Sequence, residues 1–254
     1  MPQPAELMNE GIMHLTAQRL ARLLACAAVP VMLVAGCSSD SGSDSGKSKK
    51  GSGGSSSASP SATKASPSLA PAVYDTLPDA CKTLAKKTVT GLVPGAEDKT
   101  GKAGKSSDVR TRAGCTWNGL DDNGLKGSQY RWLDVSLIRF DSDAALGGSG
   151  EERATDHFAK QVTAAQTTEG AKKVKSVAAE GIGDEATAVR YELRKTDEDF
   201  RNQTVVVRTE NVVLTLNYNG AGYAGAKTPD PDELMKDAQK AAKEVVAAIA
   251  TANE

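Results

Sequence analysis

Residues 38–71 carry Ser, Gly, Ala, Lys and Pro with almost no large apolar side chain. Such a stretch cannot bury enough surface to offset the entropy of ordering it. It divides the chain into an apolar N-terminus, a tether of about 34 residues, and a C-terminal remainder of roughly 180 residues, a common single-domain size. A Ser/Gly-rich tether of that length has an r.m.s. span near ~30 Å and a full stretch near ~120 Å. The division is therefore a leader over residues 1–36, a disordered tether over 37–72, and one extracytoplasmic domain over 73–254. A domain of that size buries about 70% of its unfolded surface and needs no metal to fold.

The leader reads as a secretory signal. Arg19 and Arg22 precede an apolar run over residues 23–34. About 12 residues make a signal-peptide core, whereas a membrane-spanning helix needs about 20. Residues 1–18 are long for a leader and carry Glu6 and Glu10, so translation from Met8 or Met13 would give a more compact one. The run closes on Val34-Ala35-Gly36-Cys37, which looks like the lipobox of bacterial lipoproteins. Small residues at 35 and 36 let a peptidase reach the backbone, and the Cys37 thiol takes the lipid. Two or three acyl chains anchor stably where one is marginal. The expected partner is thus membrane lipid through acylated Cys37, and the expected location is the outer face of the cell membrane.

The chain has four cysteines. Cys26 leaves with the leader and Cys37 is lipidated, so Cys81 and Cys115 remain in an oxidising compartment. An even pair there reads as a disulfide, worth about 4 kcal/mol in the chain-entropy picture for a loop of about 35 residues. The alternative is two free thiols, although no histidine stands nearby to lower either pKa. Trp117, two residues after Cys115, shares its face if the segment is a strand.

Hydrophobic periodicity fills in the domain. Thr76 as N-cap and Asp79 at the third position predict a helix carrying Leu77, Cys81 and Leu84. A short helix over 86–92 stops at Val93-Pro94-Gly95, and 96–108 reads as a polar, mobile loop. A hairpin follows, with arms 110–118 and 128–140 about an Asp121-Asp122-Asn123-Gly124 turn. In the second arm Leu133, Val135 and Leu137 share one face. Tyr130, Trp132, Ile138 and Phe140 share the other, which places this strand inside the sheet. A helix is expected over 151–168 and a strand over 173–178. β runs are expected over 187–193, 203–209 and 212–218, the last two joined at Glu210-Asn211. Asp230, Pro231 and Glu233 open a final helix whose stripe is Leu234, Ala238, Ala241, Val245 and Ile249. Hairpins with helices between and after them imply an α+β fold, an antiparallel sheet of five to six strands carrying helices.

Several motifs in this order resemble an actinobacterial lipoprotein family of unknown function, which includes some mycobacterial Lpr-type lipoproteins. They are the lipobox and linker, Cys81-Lys82-Thr83-Leu84, Leu92-Val93-Pro94-Gly95, Cys115-Thr116-Trp117 and Gly181-Ile182-Gly183-Asp184-Glu185-Ala186. The resemblance spans residues 74–250. It implies a Cys81–Cys115 disulfide, a structural role for Trp117 and no catalytic residues. The charged stretch 194–201 reads as an insert relative to that pattern.

Known chemistries find little footing. Lys and Arg number 31 against 32 Asp and Glu, a net charge of −1. Loss of residues 1–36 removes two arginines and two glutamates and leaves that balance unchanged. With no basic stripe, no nucleic-acid partner is expected. Lys47, Lys49 and Lys50 of the tether either solubilise it or touch anionic headgroups. His157 is the one histidine left after processing; a Ser-His-Asp site would have to use it, and no Gly-x-Ser-x-Gly elbow accompanies it. Zinc would need more His and Cys ligands than remain. Asp121-Asp122-Asn123-Gly124 lacks the spacing of a calcium loop, and Gly181-x-Gly183 lacks the third glycine of a dinucleotide site. No metal or cofactor is expected. The carboxylates at 184–185 and 197–199 read as solvated turns rather than a glycosidase pair, and 4% aromatic content argues against a sugar-stacking cleft. The resulting expectation is a non-catalytic binding module for an envelope component or protein partner. The alternative is a carrier of a lipid or other apolar ligand, and a hydrolase is the third reading. Globomycin treatment of the native host should leave uncleaved precursor, and a diacylglyceryl mass should appear on Cys37. Unchanged processing without that mass would refute lipidation.

Overall fold

Val205, Val206 and Val207 are consecutive and fully buried, which a strand allows only if both faces of its sheet are covered. The computed structural model describes residues 69–254; the leader, Cys37 and the tether up to residue 68 lie outside them. The elements are α1 (Lys86–Leu92), β1 (Lys102–Ala103), β2 (Arg112–Asp122), β3 (Ser128–Arg139), α2 (Gly150–Gln166), β4 (Lys172–Ala178), β5 (Glu185–Lys195), β6 (Glu198–Thr209), β7 (Val212–Tyr223) and α3 (Pro231–Thr251). The strands form one sheet in the order β1-β2-β3-β7-β6-β5-β4, every neighbouring pair antiparallel. The fold is therefore α+β with an antiparallel sheet, as expected. Its seventh strand is the two-residue β1, inside the stretch expected to be a loop.

The main core lies on the face that meets α1 and α3. Leu133, Val135 and Leu137 of β3 join Leu214 and Leu216 of β7 beneath Ala238, Ala241, Val245 and Ile249 of α3. Small side chains along α3 let its backbone approach the valines closely. A smaller core on the opposite face packs Val206 and Val213 against Ala154 and Phe158 of α2. α2 begins at Gly150 behind a capping box between Ser149 and Glu152, one residue earlier than expected. α3 begins as expected at Asp230, whose side chain accepts from the Asp232 and Glu233 amides. Helix α1 has no side-chain cap of its own. Glu244 of α3 supplies one, accepting from the Ala85 amide and from the Thr88 hydroxyl at 2.7 Å.

Two expectations are corrected. Thr76 does not cap a helix, because its amide and hydroxyl are spent on Asn253 and Ala252 at the end of α3. Asp79 instead caps a single 3-10 turn, Ala80–Lys82. The charged stretch 194–201, read as an insert carrying a solvated turn, is mostly strand: β5 reaches Lys195 and β6 starts at Glu198, pairing Arg194 with Asp199 and Lys195 with Glu198. The turn is Thr196-Asp197, both at positive φ, the backbone that two-residue hairpins need.

Two motifs acquire physical meanings. A Cβ on Gly95 would lie 2.3 Å from the Leu120 backbone, and one on Gly119 2.2 Å from Gly95, so the Leu-Val-Pro-Gly segment ends where two backbones touch. In Gly181-Ile182-Gly183-Asp184, Ile182 enters the main core. The Asp184 carboxylate accepts from the Glu210 amide at 2.5 Å and from Arg208 at 3.3 Å. The motif thereby fastens the β6–β7 turn.

That turn also organises the N-terminal approach. Asn211 is 1% exposed; its side-chain amide donates to the Tyr74 and Phe140 carbonyls at 2.8 Å each, and its oxygen accepts from the Tyr74 amide at 2.7 Å. Replacement by Ala removes three part-buried hydrogen bonds. Asn211→Ala should lower the unfolding free energy by about 3 kcal/mol, read from the denaturation midpoint of the full chain. A loss within error of zero would show the contact to be incidental.

Candidate binding face

Helix α2, 17 residues long, spans about 25 Å, whereas the 12-residue strands beneath it run about 40 Å. It covers the sheet near Val206 and Val213 and stops short of the far end of the same face, where the side chains are half-buried and Asn202 is 8% exposed. Register identifies the residues there. Trp132 faces Asn219, Asn219 faces Asn202, and Asn202 faces Tyr191. Two residues nearer α2, Thr116, Asp134, Asn217 and Thr204 form a parallel row. At the distal edge Tyr130, Phe200 and Tyr223 meet edge-on in a triangle, with ring centroids 6.1 to 6.4 Å apart. Such edge-to-face pairs add about 0.5–1.5 kcal/mol each beyond their buried area. Of the chain's two Trp, five Tyr and three Phe, half lie in this patch. The low overall aromatic content thus misdescribes the surface, because composition averages over the tether and the core.

The polar row is wired across four strands. The Thr204 hydroxyl donates to Asn217 at 2.8 Å, the Asn217 amide reaches Asp134 at 3.5 Å, and the Thr116 hydroxyl donates to Asp134 at 3.0 Å. Burial pushes the Asp134 carboxyl above its ordinary value, and the bonds from Thr116 and Asn217 only partly offset this. Among the described residues no cation pairs with it. In the adjacent row the Asn202 amide donates to the Phe200 carbonyl at 3.2 Å, and the buried Asn219 oxygen has no partner. Burial also raises the Tyr130 and Tyr223 phenols, which stay neutral donors at physiological pH.

The residues singled out in the sequence lie elsewhere. Cys81 and Cys115 are bridged, with Trp117 beside them in the main core and its indole N–H donating to the Lys99 carbonyl at 3.3 Å. Cys37 lies outside the described residues. His157 packs on Phe140 at 5.2 Å; burial first, then Arg112 and Lys160, lower its pKa. Asp122 accepts from the Gly124 amide and the Ser128 hydroxyl within its turn. Arg194 holds Asp199 at 3.3 Å and Asp197 at 3.8 Å. No group of three or more metal-ligating side chains comes together among the described residues. None of their helices is long and apolar enough to cross a membrane.

Fold and site together define an α+β domain whose sheet is covered on one side and half open, with aromatic rings and amides, on the other. No family model matches the chain, and no curated protein does. Among solved structures, LpqN, a protein involved in cell envelope biogenesis of Mycobacterium tuberculosis, is similar over 56% of this chain and 87% of that one. The identity is 14% and the TM-score 0.28, a likeness too slight to carry fold or function.

The raised Asp134 pKa has a testable sign. The protonated form is the one the fold favours. Its stability is fully present below the unfolded pKa and is lost as pH rises through the folded one. Asp134→Asn should therefore melt higher than wild type at pH 7, with the difference shrinking toward zero in acid. A difference that is constant with pH would show the carboxylate to be unperturbed.

Proposed function

We propose that this chain is a lipid-anchored, non-catalytic binding module of the cell envelope, and that the open sheet face is its binding surface for an extended glycan. The row Trp132–Asn219–Asn202–Tyr191 carries the reading. Rings at both ends of an amide row offer apolar faces to sugar C–H groups and donors and acceptors to hydroxyls. A partly exposed row that crosses four strands suits an extended polymer better than a small molecule, which would need a concave pocket. The envelope assignment rests on the leader, the Cys37 lipobox and the tether.

A non-catalytic role fits Asp134, which is engaged by Thr116 and Asn217 and has no second carboxylate in its row. The carrier reading would need space between sheet and α3, where Ala238, Ala241, Ala242, Val245 and Ile249 are fully buried; that filling weighs against it. Binding of the full chain to purified insoluble wall polysaccharide tests the proposal. Trp132→Ala should reduce affinity about tenfold, the equivalent of one lost aromatic contact, without changing the melting temperature. Undiminished binding by Trp132→Ala and Tyr130→Ala, or none by wild type, would refute it.

A further inference from the structure

Gln203 lies on the opposite face of β6, beneath the start of α3. It is 1% exposed, and neither its amide nitrogen nor its oxygen has a hydrogen-bond partner. Asn211, buried to the same degree, satisfies its amide three times over. Unpartnered buried amides are costly and rare, so Gln203 points to something that completes it.

Its surroundings say of what kind. Gln203 lines a small pocket of about 170 Å³ together with Lys173 and Lys175 of β4, Arg190 and Glu192 of β5, and Arg201. Four cations thus face one carboxylate. Lys173 lies 3.2 Å from Glu192, and Arg201 touches the same carboxylate; Arg190 reaches out to Asp232 at the rim. Among the described residues Lys175 makes no ion pair. The first amides of α3 are already held by Asp230, at 2.8 and 3.0 Å, so the helix end is not the donor here. What is left is surplus positive charge around an amide able to donate and accept. The volume equals about five or six liquid-water volumes, enough for a compact tetrahedral oxyanion.

We propose that this pocket is a phosphate site, filled by free phosphate or by a phosphate ester borne on a larger molecule. The cations balance the charge while the Gln203 amide donates to one phosphate oxygen and accepts from a protonated oxygen or an ester's neighbouring hydroxyl. Melting of the full chain in detergent, in sodium phosphate against sodium chloride at equal ionic strength, tests this. Phosphate at 10 mM should raise the melting temperature by roughly 3 °C over chloride. Gln203→Leu should abolish that rise, and Lys175→Ala, an exposed change that serves if the first variant fails to fold, should at least halve it. Glycerol 3-phosphate distinguishes the sources: a rise equal to that of phosphate means esters are accepted, and none means only the free ion fits. No rise beyond chloride, an equal rise with acetate, or an undiminished rise in both variants would overturn the proposal.

Discussion

Double-sided burial of the central strands is the constraint on which the rest of the architecture hangs. Because Val205, Val206 and Val207 alternate between faces and none can be left in water, the sheet must have a helix on each side. α3 carries a long apolar stripe and packs along its face. α2 is shorter and meets only the part of the other face where Val206 and Val213 project. The half-buried aromatic and amide rows follow directly from that shortfall.

The buried amides of one domain fall into two kinds. Asn211 and Gln203 are equally hidden and belong to the same type of side chain. Asn211 is saturated by backbone groups from two distant segments and accounts for itself as architecture. Gln203 sits among cations with its valences open. Burial alone would have ranked the two together; their hydrogen-bond partners tell them apart.

Much of the fold was legible because period and punctuation agreed. The alternation in β3 and β7, the Asp230-Pro231 start of α3 and the Glu210-Asn211 turn are local signals read from neighbouring residues. Thr76 misled because its capping groups were claimed by Asn253, more than 170 positions away in the chain. The charged stretch at 194–201 resembled a solvated loop because its cross-strand pairing can only be seen once β5 and β6 are in register. The candidate face was half legible: the alternation in β3 puts Tyr130 and Trp132 on one side of their strand. Asn219, Asn202 and Tyr191 joined them only through the pairing of β3 with β7, a contact with no local signature. Gln203 gave no signal, since a glutamine among strand residues does not reveal whether it will be paired.

The leading segment enters beside Asn211, where Ala70 and Tyr74 are held by Ser142 and Asn211. The aromatic triangle lies at the opposite end of β7, about 40 Å away. Tension applied through the N-terminus and through a ligand on that triangle would thus act along β7, end to end. Antiparallel ladders on both sides of that strand would carry such a load in shear, with many hydrogen bonds resisting together instead of parting one by one.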